Sequence, residues 1–264
     1  MTDTIFVFIM EEKSLHFDNN SQIYDSVRPG YPQEIYETIS NYIKLDTNSN
    51  ILEIGAGNGI ASQEINNKWL SKMVLIEPGE NLCKLLNNKF KNNKNISVEN
   101  TTFEKYQNEY KFDAIFSATA FHWLDLTKKY IKSYDMLKDD GLLIVFWNNY
   151  GIENKEMENE IQKVYTKYGK GIKDEKSTYE KQIEKIESRK MEIEESNLFE
   201  IMDHKIIKDI KEYTMENYMK LLKTFSDHLE MKDGFFEEMK EIIKNHGNKI
   251  EVRILINLEI AKKK

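Results

Sequence analysis

The chain has 264 residues, enough at roughly 150 per domain for one large domain or one domain with an elaboration. Its 38 Lys and Arg against 45 Asp and Glu leave a net charge of −7. That balance argues against nucleic acid as the main partner, because phosphate binding draws its affinity from clustered positive charge. One cysteine, Cys83, excludes an intramolecular disulfide and a CxxC metal or redox site. The five histidines show none of the i, i+3 or i+4 spacings that pair zinc ligands on a helix. The longest apolar runs, Ile5 to Met10 and Leu142 to Trp147, fall well short of the ~18 residues of a membrane span. The expectation is a cytoplasmic chain with no metal, no nucleic-acid partner and no membrane partner.

Met10 is a candidate start, and residues 1–16 are expected to be an extension, disordered in part. Residues 17–264 then form a single domain. Phe17 to Leu45 reads as a helix, a Pro-bounded turn at Arg28 to Pro32, and a second helix with Ile35, Ile39, Tyr42 and Ile43 on one face. Strand candidates follow at Asn50 to Ile54, Met73 to Ile76, Ile96 to Val98, Phe112 to Ser117 and Leu142 to Trp147. Helix candidates alternate with them at Gly59 to Lys68, Asn81 to Lys91 and Leu126 to Leu137. This alternation is the signature of βαβ crossovers, so the fold class is α/β, a doubly wound Rossmann-like sheet, mostly parallel.

Glu153 to Asn197 is dense in Glu and Lys, with Tyr179, Ile183 and Ile186 as a narrow apolar stripe. It reads as a helical insert over 151–197 with one buried and one solvated face. Leu198 to Ile210 returns to a strand pattern, and helices are expected at Met215 to Lys223 and Gly234 to Asn245. The last segment, Ile250 to Ala261, alternates apolar and polar residues apart from Leu255. It predicts a final strand antiparallel to an edge of the sheet, with a helical cap above the strand ends.

The sharpest feature is Ile51-Leu52-Glu53-Ile54-Gly55-Ala56-Gly57-Asn58-Gly59, a strand entering a glycine turn and then a helix. The spacing is GxGxG, whereas a dinucleotide fingerprint needs GxGxxG, and Ile60 stands where the third glycine would be. A pyrophosphate must rest on the helix N-terminus, while a smaller zwitterionic cofactor needs only a turn to lie against. Alone, the turn could be a tight connection. Eighteen positions after Gly59, however, the next strand ends in Glu77-Pro78. An acid at the end of the second strand is placed to accept hydrogen bonds from ribose hydroxyls, which points to an adenosine-bearing cofactor.

Leu52 to Gly59, Glu77, Thr102-Phe103-Glu104 and Phe112 to Ser117 resemble the successive motifs of class I S-adenosylmethionine-dependent methyltransferases. Tyr24 to Pro32, Ala118 to Trp123 and Leu221 to Ser226 resemble the small-molecule branch that includes trans-aconitate-type methyltransferases. The resemblance implies S-adenosylmethionine as cofactor and a small-molecule acceptor, with a carboxylate plausible by analogy. It divides the domain into lid helices over 17–45, a cofactor core over 46–150, the insert, and remaining strands and cap over 198–264. Carried over to this chain, it implies that Gly55, Ala56 and Gly57 line the methionine part and that Glu77, with Pro78 beside it, holds the ribose. Glu53 would orient the amino group through water, and Phe103 and Glu104 would flank the adenine. Ser117 and Ala118 would approach the methionine moiety. Tyr24 and Arg28 would lie in the lid, with Arg28 a candidate for the cofactor carboxylate or merely a surface turn residue.

The Asp/Asn-Pro-Pro-aromatic motif of enzymes that methylate nucleic-acid amines is replaced here by Ser117-Ala118-Thr119-Ala120, again favouring a small acceptor. His122 is a candidate general base or a packing residue. Trp123, Trp147, Thr224 and Ser226 are candidate acceptor contacts, the two tryptophans equally readable as core. Two other readings remain open, a noncatalytic module that binds this cofactor and a nicotinamide-dependent oxidoreductase.

Overall fold

In the computed structural model, residues 27–169, 178–228 and 231–264 are described. Met10, the helix expected from Phe17 and the candidate Tyr24 lie outside them.

The second lid helix is α1 (Gln33–Ser40), which buries Ile35, Tyr36 and Ile39 and ends before Tyr42, whose ring is left exposed. The expected five strands follow as β1 (Asn50–Ile54), β2 (Lys72–Glu77), β3 (Ile96–Asn100), β4 (Phe112–Ala118) and β5 (Leu137–Ile152). Between them run α2 (Ile60–Trp69), α3 (Glu80–Phe90) and α4 (Leu126–Met136). β5 extends past Trp147 through Asn148, Asn149 and Tyr150, because its ladder with the last strand continues to Ile152.

Beyond β5 come α5 (Lys155–Lys167), α6 (Thr178–Glu195), β6 (Phe199–Thr214), α7 (Met215–Lys223), α8 (Asp233–Asn245) and β7 (Lys249–Lys263). The seven strands are ordered β3-β2-β1-β4-β5-β7-β6. β1 to β5 pair in parallel, while β7 pairs antiparallel with both β5 and β6. The expected final antiparallel strand is therefore present: β7 pairs with β5, the last of the parallel strands, and β6 adds outside it. Both faces of β7 are covered, which explains why Leu255 is as buried as its alternating neighbours.

One core layer packs α1, α2, α5, α7 and α8 on the sheet face of Ile51, Phe116, Ile144 and Phe146. The other face carries Leu52, Ile54, Ile115, Val145 and Trp147 and is covered partly by Ile193 of α6. The insert thus divides. α5 packs with α8 on the first face, and α6 lies across β5, β6 and β7 on the second. The buried positions of α6 are Gln182, Ile186, Arg189 and Ile193, so the expected stripe is rotated away from Tyr179, which is exposed. Among the described residues no helix is long and apolar enough to cross a membrane.

Candidate active site

The glycine turn leaves the end of β1 with Gly55 at φ +68° and Gly57 at φ +58°. Both lie in the left-handed region that side chains with a Cβ resist. Gly55 is further constrained because a Cβ there would stand 2.5 Å from the Ala120 Cβ. The Gly55 and Ala56 N–H groups donate to the Ile76 carbonyl, at 2.9 and 3.2 Å, fastening the turn to the end of β2.

Glu77 grips this turn. Its Oε2 accepts from the Gly57 N–H and its Oε1 from the Gly79 N–H, each at 2.9 Å, and the side chain is buried. A carboxylate has capacity for about four donors, so these two bonds are compatible with ribose hydroxyls on the same group. Pro78, directly after it, is exposed.

Glu53 has no such support. It is fully buried, and neither carboxylate oxygen has a hydrogen-bond partner. Burial pushes its pKa up to about 8, assisted by the negative Glu77 and opposed by Ser62 and Lys89. The Ser62 hydroxyl is near enough to lower that value but makes no hydrogen bond of its own. A buried acceptor without a donor calls for a cationic or N–H-bearing ligand, and the ammonium of a methionine moiety is such a group. Together with the glycine cradle and Glu77, the residues present fit S-adenosylmethionine.

Glu53, Gly55, Ala56, Gly57 and Ala118 line one cleft together with Arg28 and a set of residues that motif spacing did not single out. These are Tyr31, Thr119, Asn148 and Tyr150. The cavity volume is about 50 Å³, room for a few water molecules. Thr119 has φ +56°, strained for a β-branched residue. It is held there by its hydroxyl, which meets Tyr31 Oη at 2.8 Å and accepts from the Asn148 N–H at 3.3 Å. Tyr31 and Thr119 fall within the motifs Tyr24 to Pro32 and Ala118 to Trp123, and the sequence signal for the other two is polar Asn148-Asn149-Tyr150 ending the apolar run of β5.

Arg28 reaches the cleft from the turn before α1. Its Nε donates to Thr224 Oγ1 at 2.9 Å and its Nη2 to the Thr224 carbonyl at 3.1 Å. The guanidinium lies 4.3 Å from the Phe225 ring centroid and 5.3 Å from that of Tyr150. Thr224, expected against the acceptor, is buried and holds Arg28; it does not line the cleft. Ser226 is half-buried in a short 3-10 turn over Ser226–His228. Ser117 is fully buried, its hydroxyl donating to the Ile54 carbonyl at 2.9 Å, so it ties β4 to β1.

Other expected residues lie away from the cleft. Phe103 is buried among Leu52, Ile54 and Ile76, with the Lys132 ammonium 5.2 Å from its ring. Glu104 is exposed, and its carbonyl accepts from Lys132 Nζ at 3.0 Å. Trp147 projects from the opposite face of β5 to Phe146 and Asn148, as strand alternation requires. Its ring lies under the Arg189 guanidinium at 4.5 Å. His122 is exposed, its ring centroid 4.7 Å from that of half-buried Trp123 and tilted 39° to it.

A sequence profile of the ribosomal RNA adenine dimethylase family matches residues 32–140, less than half of the chain. Malonyl-[acyl-carrier protein] O-methyltransferase 2 of Ilyobacter polytropus is 34% identical over 98 residues, covering 37% of this chain and 38% of that protein. The chain spans about half or less of the length of the curated relatives it matches first. A solved structure from Anaeromyxobacter dehalogenans, assigned as a type II methyltransferase, superposes with TM-score 0.60 at 14% identity, covering 88% of this chain and 97% of that one. The chain has the class I S-adenosylmethionine-dependent methyltransferase fold. Phosphoethanolamine N-methyltransferase 2 of Haemonchus contortus shares this fold, with TM-score 0.53 at 13% identity, covering 93% of this chain and 57% of that one.

Proposed function

We propose that the chain transfers a methyl group from S-adenosylmethionine to a small organic acceptor and releases S-adenosylhomocysteine. The observation that carries this reading is the glycine turn clamped by Glu77 beside the buried, unpartnered Glu53. When bound, the cofactor supplies a sulfonium whose methyl group is already activated toward nucleophiles. The protein's part is then to hold and orient. Glu77 holds the ribose, Glu53 the ammonium, and Arg28, braced by Thr224, the carboxylate. Tyr31, Thr119, Asn148 and Tyr150 form the acceptor side of the cleft and exclude water from it. Alignment of two bound reactants lowers a barrier by about 7 to 11 kcal/mol.

The carboxylate acceptor implied by the trans-aconitate-type resemblance has no specific support in the relatives. The net charge of −7 favours a small acceptor over nucleic acid. Isothermal titration with S-adenosylhomocysteine and with NAD tests the cofactor, and binding of NAD alone overturns the reading. An S-adenosylhomocysteine-release screen over small acids, phenols and amines tests the transfer. Cofactor binding with no release from any acceptor supports the noncatalytic module instead.

A further inference from the structure

Asn148 is 9% exposed, and its Oδ1 is buried with no hydrogen-bond partner. The amide orientation is fixed from its other end. Nδ2 donates to the Pro29 carbonyl at 3.4 Å, so exchanging the two atoms would set oxygen against oxygen. The unmatched atom is therefore an acceptor, on a residue that lines the cleft, and it calls for an N–H or O–H. It stands on β5, separated from β1 by β4, which puts about 10 Å between the Glu53 strand and the Asn148 strand. One ammonium does not satisfy both groups. The Glu53 end suits the cofactor, and the Asn148 end needs a donor of its own.

We infer that Asn148 is a specificity-determining residue whose amide oxygen receives an N–H of the methyl acceptor, and that the acceptor is a small amine. The inference rests on the cofactor assignment above. An ionised carboxylate has no hydrogen to give and would set its lone pairs against Oδ1. An alcohol would have the hydrogen but would need a base to become nucleophilic. Among the described residues that line the cleft, the only carboxylate is Glu53, at the far end. A neutral amine needs no base. Its lone pair forms the N–C bond while the C–S pair returns to sulfur, and the resulting ammonium loses one proton to water. An amine that arrives as an ammonium gives one proton to solvent before it binds, a step that needs no residue of the cleft.

The test uses two matched sets of probes: benzylamine, benzyl alcohol and benzoate, and ethanolamine, ethylene glycol and glycolate. Each is titrated into the protein saturated with S-adenosylhomocysteine, and each is assayed for S-adenosylhomocysteine release with S-adenosylmethionine. Binding and release by at least one of the two amines, in preference to its matched alcohol and acid, is the expected result. Asn148→Leu should then lower amine binding and release about tenfold, with affinity for S-adenosylhomocysteine within about twofold. Far-ultraviolet circular dichroism and the thermal midpoint of Asn148→Leu control for damage to folding. Preference for alcohols or acids, response to none of the six probes, or an equal loss of cofactor affinity in Asn148→Leu overturns the inference. Failure of the wild-type protein to bind S-adenosylhomocysteine at all would instead count against the cofactor assignment.

Discussion

The indole Nε1–H of Trp147 donates to Nδ1 of His122 at 3.1 Å. An indole nitrogen only donates, so the neutral imidazole must carry its own proton on Nε2. To take a proton from an acceptor at Nε2, the ring would have to move its proton to Nδ1 and point it at another N–H. His122 is thereby a poor general base, and it does not line the cleft. His122→Gln should leave kcat/KM within about threefold of wild type and the pH–rate profile unchanged in shape. Loss of a limb near pH 6.5 in that variant would restore the catalytic role.

The same pair marks what local sequence conveys and what it omits. β1, β2 and β4 are readable because buried parallel strands are short, nearly continuous apolar runs, whereas edge strand β3 shows only the alternation of Ile96 and Val98. The turn at Gly55 to Gly59 and Glu77 were readable because their roles follow from spacing along one βαβ unit. That β6 covers the outer side of β7 is not legible in the sequence, because Asn257 and Glu259 look like solvent-facing residues. Both are fully buried, Asn257 accepting from Arg189 at 3.0 Å and Glu259 meeting His204 Nδ1 at 2.8 Å. Those partners lie on α6 and β6, so no pattern within β7 reports them. Asn148, Thr119 and Tyr31 likewise gain their meaning only when β4, β5 and the lid come together.

Glu77 carries a prediction that separates charge from geometry. Its two oxygens each accept a backbone N–H, from Gly57 and Gly79. A glutamine has one acceptor oxygen, and its NH2 would face one of those N–H groups. Both Glu77→Ala and Glu77→Gln should weaken binding of S-adenosylhomocysteine, by on the order of a hundredfold, since hydrogen bonds to a charged group contribute about 1.5 to 3 kcal/mol each. Isothermal titration decides it, and unchanged affinity in either variant removes Glu77 from the site.

Arg28 should discriminate by ligand. If its guanidinium meets the cofactor carboxylate, Arg28→Ala should lower affinity for S-adenosylhomocysteine about tenfold or more and leave that for 5′-methylthioadenosine, which lacks the amino-acid end, unchanged. Thr224→Val removes the hydroxyl that accepts from Nε at 2.9 Å and should produce a smaller loss of the same kind. Equal losses for both ligands would mean that Arg28 supports the lid and does not read the carboxylate.

Glu53 predicts a pH dependence with a definite sign. Its carboxyl, ordinarily near 4.5, is pushed up to about 8 by burial. Below pH 4.5 it is protonated in both the folded and the unfolded chain and contributes no pH dependence. Between 4.5 and 8 the unfolded chain loses this proton while the folded chain keeps it, so stability of the cofactor-free protein falls as pH rises. Above 8 the loss is complete. Glu259, held near 7 chiefly by burial, acts in the same direction and remains in a Glu53→Gln variant. The difference in thermal midpoint between Glu53→Gln and wild type therefore isolates Glu53. It should be near zero at pH 4 and grow in favour of the variant up to about pH 8. Cofactor binding at pH 7 should expel the proton as the ammonium arrives, so the calorimetric enthalpy should vary with the ionisation enthalpy of the buffer in wild type and not in Glu53→Gln. A midpoint difference that does not change with pH, or an enthalpy independent of buffer in wild type, would show that Glu53 is ionised before the cofactor binds.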